Sequence, residues 1–285
     1  MKKPRITIIG LGSVGSALLN VLTTSGYEVL SVFNRSEIDP DLIKKYPDTY
    51  FSKGLPNNEN KLGELTFLTV SDDAIESVAT QLSERYTDLN DRSVVHCSGV
   101  HASEVLSPIS KAGASIASFH PMKAITPKTS SFENTWFDVE GDEAAIRRME
   151  ELADRLKAHM FKVEPKAKPL LHASAVVASN YLVVLAELVS KISALGDVPE
   201  ETALKAITPL MENTLRNVKE LGVTEALTGP IARGDLKTVK QHMESLKNAP
   251  ELLSLYKTLG IEAVKISVRK NGETDSLEEI RKLLS

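Results

Sequence analysis

Cysteine is nearly missing from this chain, and Cys97 stands alone. A single thiol excludes an intrachain disulfide framework and any cysteine-based metal cluster. A surplus of positive charge is missing too. Lys and Arg number 34 against 38 Asp and Glu, a formal net charge of −4, so no global basic field invites nucleic acid or anionic lipid. No uninterrupted apolar run reaches the roughly 18–20 residues that a membrane-spanning helix needs. The opening Met1-Lys2-Lys3-Pro4-Arg5 is basic, but its apolar stretch runs straight into glycines and reads as a strand, without the length or cleavage site of a signal peptide. No histidine–carboxylate spacing suggests a metal, and there is neither an internal repeat nor a low-complexity tract. A cytoplasmic protein with a small-molecule substrate, and with neither nucleic acid nor membrane as partner, is the expectation.

What is present looks like an ordinary globular composition, 42% hydrophobic and 25% charged over 285 residues, and that length favours two domains. Short β-branched runs alternate with helical patterns through the first two-thirds, which predicts parallel strands joined by helices. Strands are expected near Arg5–Ile9, Glu28–Phe33, Glu64–Val70, Ser93–Cys97, Ser115–Phe119, Trp136–Glu140 and Met160–Val163. Helices are expected at Ser13–Ser25, Asp73–Arg85, Ala102–Lys111 and Asp142–Ala158. At Glu164-Pro165-Lys166-Ala167-Lys168-Pro169 two prolines and two lysines interrupt any regular element. The predicted organisation is therefore a doubly wound, mostly parallel α/β Rossmann domain over 1–165, followed by an all-α domain over 166–285. The first helix of the latter, Leu170–Leu195, is apolar on nearly every face, which predicts burial in the domain core or against another subunit. Further helices are read at Glu200–Leu221, Leu236–Asn248, Pro250–Val268 and Ser276–Leu284.

The strongest motif is Gly10-Leu11-Gly12-Ser13-Val14-Gly15, set between an apolar strand and an apolar helix. In a Gly-x-Gly-x-x-Gly turn the first glycine permits the tight bend, the second lets backbone approach a diphosphate, and the third allows close helix–strand packing. The diphosphate then faces the unsatisfied N–H groups and positive end of the helix. The second strand ends in Asn34-Arg35-Ser36, with no carboxylate to bond a ribose 2′-hydroxyl. A guanidinium and a hydroxyl there suit a 2′-phosphate, so the expected cofactor is NADP(H). Two later strand ends should complete the site: the backbone of Val70 and Ser71 with Asp72, and Cys97-Ser98-Gly99 at the nicotinamide half. Asp72 or Asp73 is expected mainly to cap a helix, and Cys97 to be a small buried residue rather than a nucleophile.

His120, in Ser118-Phe119-His120-Pro121-Met122, closes another apolar strand. An imidazole titrates near neutral pH and suits proton transfer there; fixing the loop by hydrogen bonds is the competing role. His172 and Ser179 lie two turns apart on one face of the long helix, with Asn180 roughly 80° round. Polar groups on so apolar a helix must be bonded or face a cavity, so they are read as a substrate-facing stripe. Arg233, in Leu227 to Asp235, could hold an anionic group with a bidentate bond, or form a structural salt bridge. Asp235 is expected to cap the helix that follows.

These segments resemble a bacterial family of Rossmann proteins labelled NADP oxidoreductases, whose C-terminal helical domain is like that of 6-phosphogluconate dehydrogenase. The resemblance rests on Gly10–Gly15, Val95-His96-Cys97-Ser98-Gly99, Ser118 to Met122, His172 to Leu182 and Leu227 to Asp235. More distantly, pyrroline-5-carboxylate reductases and deazaflavin-dependent NADP reductases are similar over the N-terminal half, including an Asn-Arg-Ser-like turn for NADP. Prephenate dehydrogenases carry a His-Pro motif resembling His120-Pro121. The 6-phosphogluconate and hydroxyisobutyrate dehydrogenases place a lysine a few residues before an asparagine on the corresponding helix. Here Asn180 has Val176 four residues earlier, which turns attention to His172 or His120 as acid–base.

The expected function is hydride exchange between NADP(H) and a carbonyl, imine or hydroxy compound, in a homodimer and in a cleft between domains. A non-catalytic NADP-binding sensor or scaffold, and an NADP:deazaflavin oxidoreductase, are the rivals.

Overall fold

A computed structural model of the chain describes residues 3–285. By its internal contacts the chain divides into two units, one reaching to Ser179 and one spanning Asn180–Ser285. The first is built on one sheet of eight strands: β1 (Ile6–Ile9), β2 (Val29–Asn34), β3 (Tyr50–Lys53), β4 (Leu65–Leu68), β5 (Ser93–His96), β6 (Ser115–Pro121), β7 (Trp136–Gly141) and β8 (His159–Lys162). Their order across the sheet is 3-2-1-4-5-6-7-8. Every neighbouring pair is parallel except β6–β7. This is the mostly parallel, doubly wound α/β sheet expected from the sequence.

Side-chain alternation divides the strands between two cores. Ile6 and Ile8 of β1 join one cluster with helices α1 (Ser13–Thr24) and α5 (Glu143–Arg155), while Ile9 joins another with α3 (Ile75–Arg85) and α4 (Ser107–Lys111). Helix α5 shows how its sequence fixes its face: Ala145, Ile146, Met149, Leu152 and Ala153 recur at helical spacing, and all are buried. Helix α1 stops where Gly26 takes φ +74°, a conformation that costs a glycine little.

One α-helix and one strand escaped the sequence reading. Helix α2 (Pro40–Lys45) is one short turn started by Asp39, whose side chain accepts from the Asp41 N–H. Strand β3 is a half-exposed edge strand; four residues, Tyr-Phe-Ser-Lys, hold too little alternation to register. The stretch read as a helix over Ala102–Lys111 is a 3-10 turn, Ser103–Leu106, running into α4. Asp72 and Asp73 lie inside a 3-10 turn, Asp72–Ala74, with no side-chain cap bond there or at the start of α3. The expected capping is therefore corrected: they are acidic residues in the first turn, where they favour the helix dipole without a cap bond.

The segment read as an interruption at 164–169 is itself ordered. A 3-10 turn, Pro165–Ala167, leads into α6 (Lys168–Ala194), with Pro169 in the first turn, where a missing N–H costs nothing. The other helices are α7 (Glu200–Ala226), α8 (Leu236–Leu246), α9 (Pro250–Asn271) and α10 (Asp275–Leu284). Helix α7 outruns its expected end because two helical pieces meet at Gly222, whose backbone is not helical. Asp235 caps α8, accepting from the Thr238 N–H at 3.1 Å. The core of this unit is small: Val239, Val264, Leu277, Ile280 and Leu284.

Burial of α6 in a domain core, one of its two expected fates, does not occur. Leu170 and Val183 are 75% and 70% exposed, and Val177, Tyr181 and Val184 are also open. By length and composition the segment Pro165–Ala194 is apolar enough to cross a membrane. No uninterrupted apolar run betrays this in the sequence, because His172, Ser179 and Asn180 break it.

Candidate active site

In an open parallel sheet, ligands gather at the carboxyl ends of the strands. The strand order here sets five segments side by side along that edge: Asn34–Ser36 at the end of β2, Gly10–Gly15 after β1, Thr69–Asp72 after β4, Cys97–Gly99 after β5, and His120 next to the last residue of β6.

The glycine turn is shaped by close packing. Gly10 has φ +108°, and a Cβ there would stand 2.6 Å from the Thr69 carbonyl oxygen. A Cβ on Gly15 would run into the Gly10 carbonyl and into Thr69 Oγ1 at 2.6 Å; that hydroxyl donates to the Gly10 carbonyl at 2.7 Å. Gly12 differs. Its added Cβ would meet only the Thr69 oxygen, at 3.9 Å, so the space it faces is open. No side chain caps α1 and no acidic residue stands in its first turn, which leaves N–H donors and a positive helix end for an anion. The cradle fits a diphosphate. Asn34 is spent internally: its Oδ1 accepts from the Leu11 N–H at 3.2 Å and its Nδ2 donates to Ser36 Oγ at 3.0 Å. Arg35 and Ser36 are exposed beside it.

After β5 the loop is fixed by His96, which is fully buried. Its Nδ1 accepts from the Ser98 N–H at 3.1 Å, so the proton is on Nε2, which faces the Ala102 carbonyl at 3.2 Å. Burial, above all other influences, pushes its pKa down to about 4. The Cys97 thiol is pushed up to about 12 by burial, which leaves it protonated and a poor nucleophile. Ser98 Oγ accepts from the Val100 and His101 N–H groups, each at 3.2 Å.

His120 lies next in line. It is the direct cross-strand partner of Asp138 on β7, and its Nδ1 is 2.7 Å from Asp138 Oδ2. The other carboxylate oxygen accepts from Lys168 Nζ at 2.6 Å. Asp138 and Lys168 are 1% and 0% exposed. Burial works to raise the Asp138 carboxyl, but hydrogen bonds from His120 and Lys168, with the Lys168 charge, outweigh it and hold the group below the usual carboxylate range. An ionised carboxylate only accepts, so His120 carries its proton on Nδ1 and leaves Nε2 toward the site. His172, one turn after Lys168 on α6, sets its ring against that of His120, edge to face at 5.7 Å between centroids. Its Nδ1 is buried without a partner. A Cβ on Gly99 would fall inside contact distance of that nitrogen and 2.9 Å from His120 Nε2.

Within the first unit the structure thus gathers His120, His172 and Gly99 of the predicted residues, and adds Asp138 and Lys168, which the sequence reading missed. Ser179 is exposed at the end of that unit. Asn180 and Arg233 belong to the second unit, and both are exposed. Among the described residues no group of three or more His, Cys, Asp and Glu side chains could hold a metal ion.

Residues 1–121 match the model of a Rossmann-like domain. The mostly parallel, doubly wound sheet of the first unit agrees with that match. Residues 135–263 match a domain of unknown function, DUF2520, so the site cluster straddles the two: His120 in the first, Asp138, Lys168 and His172 in the second. No curated protein matches the chain in sequence. Among solved structures, protein TM1727 from Thermotoga maritima is 27% identical over 93% of this chain and 99% of its own, with a TM-score of 0.72. BF3122 from Bacteroides fragilis, which bears the name of an NADP oxidoreductase, is 19% identical over 92% of this chain and 98% of its own, with a TM-score of 0.73. A reductive aminase from Aspergillus terreus, in complex with NADPH and ethyl-5-oxohexanoate, is 17% identical over 99% and 100%, with a TM-score of 0.66. The last two similarities speak to fold.

Proposed function

We propose that the chain is an NADP(H)-dependent oxidoreductase that exchanges hydride with a small carbonyl, imine or hydroxy compound. The observation that carries this reading is His120, hydrogen-bonded to buried Asp138 and set beside His172 on the strand edge that also bears the glycine cradle. A fold shared with an NADPH-bound reductive aminase supports the cofactor class.

Gly10, Leu11, Gly12, Ser13, Val14 and Gly15 would hold the diphosphate, and Arg35 with Ser36 the 2′-phosphate, Asn34 keeping their turn in shape. Val70, Ser71 and Asp72, then Cys97, Ser98 and Gly99, would line the way to the nicotinamide. When bound, the nicotinamide supplies or accepts the hydride. His120 Nε2 exchanges the accompanying proton with the substrate heteroatom, so reduction consumes one NADPH and one proton and oxidation returns both. His172 orients that heteroatom, and Ser179, Asn180 and Arg233 stay assigned to substrate contact on sequence grounds. The open apolar face of α6 supports a homodimer in which a second copy covers it.

Titrating the full chain with NADPH and NADH by calorimetry, then following NADPH oxidation over keto acids, aldehydes and cyclic imines, tests the reading. Binding of NADPH with turnover of one class, lost in His120→Asn, is expected. No heat with either coenzyme overturns it, and binding without any turnover favours a sensor. Size-exclusion chromatography giving a species near 31 kDa would remove the dimer.

A further inference from the structure

A general acid–base imidazole works only if its free nitrogen is the one facing the substrate, and an unconstrained histidine samples both tautomers. His120 is constrained from below. Asp138 sits directly across the β6–β7 ladder from it and divides its two oxygens, one to His120 Nδ1 at 2.7 Å, the other to Lys168 Nζ at 2.6 Å. Neither Asp138 nor Lys168 reaches solvent. A buried ion pair of this kind is weak evidence for stability as such, since apolar side chains of similar volume often serve as well; what it uniquely supplies is direction. Lys168 also opens α6, and one helical turn separates it from His172. The contact that fixes the carboxylate therefore also fixes the start of the helix that carries the second histidine.

We propose that Asp138 and Lys168 are the positioning residues of this site. Asp138 holds His120 in the Nδ1–H tautomer with Nε2 free, and Lys168 anchors the carboxylate's other oxygen and the first turn of α6, which sets His172 beside His120. Neither residue touches the reacting atoms. The inference rests on the reading of His120 as the acid–base, and it assigns the two missed residues a task that a purely structural pair would not have.

Histidine tautomers are read from long-range proton–nitrogen spectra of the full chain labelled with nitrogen-15 at histidine. His120 is expected as a single Nδ1–H species in the native protein and as a mixture in Asp138→Asn. In the same variant kcat falls on the order of 100-fold or more, while the KM for NADPH stays within about threefold, as when the orienting partner of a histidine is removed. Lys168→Arg, which keeps a cation, retains the Nδ1–H signal and most of kcat; Lys168→Met loses both. Should a single variant fail to fold, Asp138→Asn with Lys168→Met removes both charges together, and the mixed tautomer is expected there also. An unchanged His120 tautomer in Asp138→Asn, or in the double variant, overturns the inference. So does a loss shared equally between kcat and the KM for NADPH. The spectra need no substrate, so the two readings fail separately: a tautomer that responds in a protein without turnover upholds the positioning and removes the oxidoreductase.

Discussion

Replacing Lys168 by Met leaves the Asp138 carboxylate buried with one oxygen unanswered, and the cost follows from the geometry. The ammonium is 0% exposed and the carboxylate 1%, so water cannot step in. Breaking such a pair costs about 3–5 kcal/mol, because an uncompensated charge remains behind. For a chain of this length that lowers the melting temperature on the order of 10 °C. Asp138→Asn strands the ammonium instead and is expected to cost a comparable amount. With both replaced no charge is buried, so the double variant should be more stable than the two single losses predict, by on the order of 2 kcal/mol. Trp136, the only tryptophan, lies on β7 two residues before Asp138, and its fluorescence reports unfolding of the relevant unit. The pH dependence supplies an internal control. The Asp138 carboxyl is held below its ordinary value, so the pair's contribution is fully present above the unfolded value of about 4 and is lost as pH falls through the lower folded value. The penalty of Lys168→Met should therefore shrink on acidification through that range. A penalty under about 1 kcal/mol at neutral pH, or one indifferent to acid, refutes the reasoning.

Three other outcomes are expected. Arg35→Glu should weaken NADPH binding roughly 10- to 100-fold, the worth of one charge-assisted hydrogen bond, with NADH little changed in a parallel titration. Gly99→Ala drives a methyl against His172 Nδ1 and to 2.9 Å from His120 Nε2, so kcat should collapse while circular dichroism stays native. The buried, neutral His96 protonates in the unfolded chain below about 6.5 but in the fold only near 4. Stability should therefore fall by on the order of 3 kcal/mol as pH drops across that interval and level off beneath it, and His96→Gln should flatten the decline in urea unfolding.

Much of this fold is legible in the chain because its signals are strong and local. The Gly10–Gly15 turn, the apolar stripe of α5 and the cap at Asp235 each declare themselves within a dozen residues. Strand β3 does not, because an exposed edge strand of four residues has no core to alternate against. Exposure of α6 was hidden for the opposite reason, since apolar residues predict that something covers a helix but not what. The site was legible by half. His120 and His172 stand out as polar residues in apolar runs; Asp138, in Trp-Phe-Asp-Val, and Lys168, in a proline-flanked segment, look like ordinary strand and linker residues. Their burial is a long-range fact, fixed by 18 and 30 residues of separation from their partners along the chain, and no periodicity carries it.

The single antiparallel junction, between β6 and β7, has a consequence of its own. Had β7 run parallel to β6, its opening residues would stand at the far rim of the sheet, and Asp138 could not lie across from His120. Because it doubles back, the connection between β6 and β7 can vary in length without disturbing that pairing. A residue inserted within the ladder itself is another matter: it would turn the carboxylate to the opposite surface and leave the imidazole unaccompanied in an otherwise intact protein.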